Sequence, residues 1–432
     1  MNNRARPFAL LAAIGATLAL ALASTLTAGA QPALTQPAPP APPLATPNTD
    51  ACPFATAPPP VIDLSEVPQP GQTAPAPIPL PASPVGGIQL GGCGLITTAG
   101  APAVPQGISS ASWVVADLDS GQVLAAKDPH GRYRPASTLK LFTAAVVLNT
   151  LALNEVVTGT QADADVDGSR VGVGPGGRYT VRELVLGLLL ESGNDAAHAL
   201  AARMGGDTAT VQAMNKLAAA LGATDTRAVT PSGLDGPGMS TSAYDLALIF
   251  HHDIANPTFA QLATTPTVLF PGYADKPPFL IANQDRLLTD YPGAIGGKNG
   301  FTNDARQTYV GAAQRGGRRL VVTLMAGERL PLAPEQQAAA LLDYGFGLAR
   351  TTSVGELAPP GSVKQSTPVK SSAPVQTSAA PADSGPAAAV EVTADDHRPW
   401  TNTRRLAVLG GALVIILCLV SAARRLRRRR SG

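Results

Sequence analysis

The chain has 432 residues, with 32 Lys and Arg against 30 Asp and Glu, a formal net charge of +2, 41 prolines, three cysteines and only 4% aromatic residues. Length admits two or three domains, but proline is concentrated in two stretches, so only the middle of the chain can build a core. The near-neutral charge gives no ground for a nucleic-acid partner, and cysteines at 52, 93 and 418 fit no zinc spacing, so a metal or a catalytic thiol is not expected.

Arg4 and Arg6 precede an apolar run over about residues 8–26, which ends in Ala28-Gly29-Ala30 before Gln31. This is the pattern of a secretory signal over 1–30 with a small-residue cleavage site, so the rest is expected outside the cytoplasm. Residues 31–106 are rich in Pro and Ala, a composition that buries too little apolar surface to fold alone. Cys52 and Cys93 both lie there, and an oxidising compartment favours a disulfide between them.

Residues 107–350 read as one globular domain. Two β-prone runs, 112–119 and 122–127, meet at Ser120-Gly121 and predict a hairpin. Pro135-Ala136-Ser137-Thr138-Leu139-Lys140 then opens a stretch with no Gly or Pro until Gly159, whose apolar spacing predicts a buried helix beginning near Ser137. On that helix Ser137 and Lys140 stand just under one turn apart, on one face. A serine hydroxyl needs an adjacent group to take its proton, and a lysine serves only when neutral. Moving a lysine from about 10.4 to near 7 asks for about 4 to 5 kcal/mol of selective destabilisation of the ammonium, for which an apolar helix face is a source. The pair suits acyl transfer.

Further helical runs are predicted over 181–190, 195–204, 210–221 and 242–254, with Ser192-Gly193-Asn194 directly after the first. Lys298-Asn299-Gly300-Phe301 lies in a strand-like segment, and runs 307–313 and 318–325 flank Arg315-Gly316-Gly317 as a second hairpin. A helix over 334–348 closes the domain. The fold class is α/β in the α+β sense, with a mainly antiparallel sheet of about five strands. His198, His251 and His252 have no evident partner and are expected to be structural.

Residues 351–405 are again rich in Pro, Ala, Ser and Thr and read as a disordered tether. About 18 uncharged residues follow at 406–423, close to the minimum that spans a bilayer, and then the basic tail 424–432 with six arginines. The positive-inside rule places that tail in the cytoplasm, giving a single-pass cell-membrane protein with its globular domain on the extracytoplasmic side.

Ser137-x-x-Lys140, Ser192-x-Asn194 and Lys298-Asn299-Gly300, in this order, resemble the Ser-x-x-Lys, Ser-x-Asn and Lys-Thr-Gly elements of penicillin-binding proteins and serine β-lactamases. The likeness is closest to the low-molecular-mass D-alanyl-D-alanine carboxypeptidases. It extends to Pro231-Ser232-Gly233-Leu234-Asp235, Met239-Ser240-Thr241-Ser242 and Asn283-Gln284-Asp285-Arg286-Leu287-Leu288, and covers 107–350. The resemblance implies the DD-peptidase fold, in which helices flank the sheet and a helical lobe is added, peptidoglycan stem peptides as substrate, β-lactam antibiotics as ligands, and no cofactor. It also implies the roles of the site residues. Ser137 attacks the scissile carbonyl and Lys140 takes its proton. Ser192 relays a proton to the leaving amine, Asn194 holds the substrate amide and Lys298 faces the substrate carboxylate. The N–H groups of Ser137 and Phe301 hold the oxyanion, and Gly300 lets the substrate lie close.

One position departs from the family pattern: Asn299 stands where Thr or Ser is usual, so an amide replaces the hydroxyl that meets the substrate carboxylate. A serine β-lactamase is the nearest alternative, and an inactive, envelope-tethered binding module the next. The class A lactamase mechanism needs a glutamate between the second and third elements, and none occurs between Glu191 and Glu328.

Overall fold

The computed structural model describes residues 47–362. The signal expected at 1–30, the membrane span expected at 406–423, the basic tail and most of the expected tether lie outside the described residues. Among the described residues no helix is long and apolar enough to cross a membrane.

The strands are β1 (Leu95–Ile96), β2 (Ser112–Asp117), β3 (Gln122–Lys127), β4 (Val156–Thr158), β5 (Arg178–Thr180), β6 (Thr267–Phe270), β7 (Phe279–Ala282), β8 (Ala294–Thr302), β9 (Arg306–Arg315), β10 (Arg318–Gly327) and β11 (Gly355–Glu356). The main sheet runs β1-β3-β2-β10-β9-β8, with β11 also on the outer edge of β3, and every pairing is antiparallel. Both predicted hairpins are present. The sheet has seven strands rather than five because β1 and β11 add two residues each, too few for a period of two to mark them. The small ladders β4-β5 and β6-β7 stand apart from it.

Every residue of β2 is buried, because the sheet is covered on both faces. Val114 and Ala116 enter the larger core, shared with the helical lobe. Trp113 and Val115 enter the smaller one, shared with the closing helix at Pro334–Gly347. The main helices of the lobe are α1 (Lys140–Thr150), α2 (Val181–Leu190), α3 (Asn194–Arg203), α4 (Asp207–Leu221) and α5 (Ala243–Ile254). Helix α2 begins in a reciprocal cap: Glu183 N–H donates to Thr180 Oγ1 at 3.2 Å, and Thr180 N–H to Glu183 Oε2 at 2.7 Å. The helix expected from Ser137 starts later. Residues Ala136–Leu139 form a 3₁₀ turn, and α1 begins at Lys140.

Domain limits also differ from those read in the sequence. Residues 47–106 lie as a strap against the domain, closed by a Cys52–Cys93 disulfide. A proline-rich chain has fewer N–H groups than carbonyls and must borrow donors. Buried Arg132 supplies them, donating to Thr56 O at 2.9 Å, Pro79 O at 3.2 Å and Ile78 O. At the other end the fold reaches past residue 350. Val354, Leu357 and Ala358 are buried, and Tyr244 Oη donates to Glu356 O at 2.8 Å.

Candidate active site

A 3₁₀ turn eclipses residues three apart, and this puts Lys140 Nζ 2.9 Å from Ser137 Oγ. The turn is held from several sides. Ala136 takes a left-handed φ of 47°, a strained state for a residue with a side chain. Pro135 O accepts hydrogen bonds from the hydroxyls of Thr138 (2.6 Å) and Thr308 on β9 (2.8 Å). Gly233 lies so near that a Cβ there would stand 2.0 Å from Ala136 O, so its φ of +85° and its lack of a side chain are both required.

Lys140 is fully buried on α1. Besides Ser137 it meets Asn194 Oδ1 and the carbonyl of Ser232, each at 2.7 Å. Burial pushes its amine far below the ordinary lysine range, the nearby charge of Lys298 pushes the same way, and Asp195 opposes both. The lowering favours the neutral amine, the form that can take a proton from the serine hydroxyl beside it. Asp195 in turn shapes the rim, its carboxylate accepting from the N–H groups of Val171 (2.9 Å), Gly172 (2.6 Å) and Val173 (2.8 Å).

Ser192 and Asn194 follow α2. Ser192 is 5% exposed and holds φ at 58°, a strained backbone state in the turn after the helix, while the three hydrogen bonds of Lys140 go elsewhere. Asn194 is tied into the same network. Oδ1 takes a proton of Lys140, and Nδ2 donates to Asp167 O at 2.7 Å, so both ends of its amide are engaged within the protein.

Lys298, Asn299, Gly300 and Phe301 lie on β8, the edge strand, beside the Ser137 turn. A Cβ on Gly300 would stand 2.8 Å from Ser137 N and 2.4 Å from Thr308 Oγ1, so strand and turn touch only because this residue is glycine. Phe301, next along, is 58% exposed at the mouth. Lys298 is buried, and its Nζ donates to Asn299 O (2.9 Å) and Asn299 Oδ1 (3.0 Å). Burial brings its amine down to about 7, with Asp285 pulling the other way. Asp285 is buried behind the strand, where the Tyr309 hydroxyl and the Leu287 N–H donate to it.

Sequence reasoning gave no role to Ser232, Gly233, Asp195 or Thr308. The first two lay inside a quoted stretch, but a main-chain carbonyl leaves no mark of its role in a side-chain pattern. Of the histidines read as structural, His198 pairs with Asp163 Oδ1 at 2.5 Å and His252 with Asp253 Oδ1 at 3.0 Å. Away from the site, His130, Asp225 and Asp245 bring ligand-type atoms within 4.8 Å of one another. His130 Nδ1 is 2.7 Å from Asp225, and the Arg132 guanidinium is 3.5 Å from its other oxygen. A fixed cation thus already occupies this group, which reads as a structural network and not as a metal centre.

The family model described as D-alanyl-D-alanine carboxypeptidase matches residues 97–328. The carboxypeptidase DacB2 of Mycobacterium tuberculosis is 52% identical over 266 residues, 61% of this chain and 90% of that protein. DacF of Bacillus subtilis is 30% identical over 246 residues, and the chain spans 63% of its length. A solved D-alanyl-D-alanine carboxypeptidase from Mycobacterium tuberculosis aligns with a TM-score of 0.58 at 51% identity, covering 60% of this chain and 99% of that one. A Streptomyces DD-transpeptidase aligns at 0.55 with 30% identity, covering 57% and 100%. With more than half of its length matched by the family model, and its nucleophile turn, Ser-x-Asn loop and Lys-x-Gly edge strand gathered in one cleft, the chain belongs to the D-alanyl-D-alanine carboxypeptidase family.

Proposed function

We propose that the protein removes the terminal D-alanine of peptidoglycan stem pentapeptides through an acyl-enzyme on Ser137, and that β-lactams acylate the same hydroxyl. The observation that carries this reading is the 2.9 Å contact between Ser137 Oγ and a fully buried Lys140 whose amine burial pushes far below the ordinary lysine range. Lys140 takes the hydroxyl proton as Ser137 attacks the carbonyl of the penultimate residue. The N–H groups of Ser137 and Phe301 receive the oxyanion. Collapse of the adduct breaks the peptide bond, a proton reaches the leaving amine by way of Lys140 and Ser192, and D-alanine departs. Water then attacks the ester, with Lys140 again the base. Lys298 meets the terminal carboxylate of the substrate, and the free edge of β8 takes its backbone as an added strand.

Deacylation after penicillin is slow in this reading. Glu191 is adjacent to Ser192 in sequence, and its carboxylate accepts from Ala282 N–H (3.2 Å) and Gln284 Nε2 (2.6 Å) instead of serving a water at Ser137. The test is intact-mass analysis of the purified full-length chain with a D-Ala-D-Ala pentapeptide and with penicillin. The expected result is loss of one alanine from the peptide and a stable penicilloyl adduct on Ser137. Steady drug turnover with no lasting adduct makes β-lactamase the better reading, and no reaction with either leaves a binding module.

We further propose export by the 1–30 signal and anchoring by the 406–423 span, with the tail 424–432 inside. Protease added to intact protoplasts then releases the domain. Release only after lysis reverses that orientation.

A further inference from the structure

The strap passes beside the nucleophile turn, held there at two anchors. Arg134, three residues before Ser137 and almost fully buried, pairs through Nε with Glu66 and donates from Nη1 to Pro59 O at 2.8 Å. Asp304, three residues beyond Phe301, accepts from Ile62 N–H at 2.6 Å and from Ser65 Oγ at 3.4 Å. Residues 59–66 therefore bridge the nucleophile turn and the tip of the β8-β9 hairpin. Between the anchors Val61, Ile62 and Leu64 are 41%, 73% and 82% exposed, which is unusual for three apolar side chains in four residues of an ordered segment. This segment lies outside the stretch that the family model matches.

The direction of a bound peptide follows from the site, given the carboxypeptidase reading on which this step rests. Its terminal carboxylate lies at Lys298 and Asn299, and its scissile carbonyl lies by Ser137 and Phe301. The chain thus runs along β8 from residue 298 toward 301, and what precedes the terminal dipeptide continues toward Asp304. Thr302 ends β8 and Asp304 stands in the turn just beyond, within the reach of about three extended residues of peptide, roughly 10 Å at about 3.3 Å per residue. There the strap stands.

We infer that residues 61–64 of the strap are the far wall of the substrate cleft, a subsite that takes the aliphatic part of the stem peptide upstream of the terminal D-Ala-D-Ala. The two anchors hold the apolar side chains in place before substrate arrives, so covering them releases water at little ordering cost. A minimal N-acetyl-D-Ala-D-Ala dipeptide, or a penicillin, ends short of this wall and does not feel it.

The experiment uses the full-length protein and the variant Ile62→Ser/Leu64→Ser, with thermal melting as a control on folding. The expected outcome is a fall of about tenfold in kcat/KM for the pentapeptide, with kcat/KM for the N-acetyl dipeptide and the rate of penicillin acylation unchanged. An unchanged pentapeptide-to-dipeptide ratio overturns the inference, whether both substrates stay the same or both fall together. Wild-type protein that cleaves neither peptide and takes no penicillin overturns the carboxypeptidase reading itself, and this subsite with it.

Discussion

The amine of Lys298 sits 3.0 Å from Oδ1 of Asn299, so the side chain that departs from the family pattern is engaged by its own neighbour. The lysine thus spends hydrogens of its amine on its own neighbour, in competition with an incoming carboxylate. Asn299→Thr removes that acceptor and supplies a hydroxyl donor. We predict a rise in peptide kcat/KM of about tenfold, equivalent to about 1.4 kcal/mol, an ordinary value for one hydrogen bond to a charged group. Steady-state kinetics on the pentapeptide checks it. No change would show that residue 299 does not touch substrate.

The pH profile should be set by two buried lysines. The amine of Lys298 is lowered to about 7, so its positive charge is present below that pH and lost as pH rises through it. KM for the carboxylate-bearing peptide therefore climbs on the alkaline side. Lys140 lies well below its ordinary value and acts as base until acid protonates it, which gives the other limb. Asp285→Asn removes the negative charge that opposes the lowering of Lys298 and should move the alkaline limb to lower pH while the acid limb stays. A profile of kcat/KM in which the alkaline limb does not move would show that Asp285 has no electrostatic part in the site.

Gly300→Ala tests the contact between strand and turn. The added methyl would meet Ser137 N at 2.8 Å and Thr138 N at 3.0 Å, both backbone atoms that yield only by moving the nucleophile. Acylation by a fluorescent penicillin should slow by about 100-fold, the scale of a displacement near 1 Å, with a stability loss of about 1 to 3 kcal/mol. Labelling at the wild-type rate would mean that the cleft is more compliant than its packing indicates.

Two buried carboxyls outside the site link stability to pH. Burial holds Asp128 and Asp253 up at about 7, against 3.8 when unfolded. The folded state keeps these protons while the unfolded state releases them, so their contribution is complete below pH 4 and lost as pH rises through 7. The melting temperature should fall between pH 6 and 8.5. Asp253→Asn, which needs no proton, should reduce that fall by about 3 °C, the shift expected from roughly 1 kcal/mol in a domain of this size. Calorimetry at the two pH values decides, and an equal fall in the variant would exonerate Asp253.

The residues that carry chemistry were legible because acyl transfer needs particular side chains at short spacings, and Ser137 with Lys140 satisfies that need within one turn. The long strands of the sheet were legible as β-prone runs bounded by turns, because a strand buried on both faces, as Val114 and Trp113 show, reads as a continuous apolar run. Three features were not. The 3₁₀ geometry of Ala136–Leu139 has the same apolar spacing over four residues as the start of an α-helix, so periodicity does not separate them. The strap reads as unstructured because what orders it, the guanidinium groups of Arg132 and Arg134, lies far away in sequence. The engagement of Asn194 by Lys140 needed distances, since an asparagine two residues after a serine suggests a substrate contact equally well.

The three partners of Lys140 also fix where one hydrogen atom must be. A neutral amine carries two hydrogens and one lone pair, yet it has three neighbours within hydrogen-bond distance. The carbonyl of Ser232 only accepts. Oδ1 of Asn194 only accepts as well, and its orientation is set because Nδ2 is donating to Asp167 O. These two consume both hydrogens of the amine, which leaves its lone pair for the one neighbour able to donate, the hydroxyl of Ser137. In that neutral form the enzyme holds the serine proton on the line to its acceptor, and two carbonyl oxygens that take no proton in the reaction are what aim it.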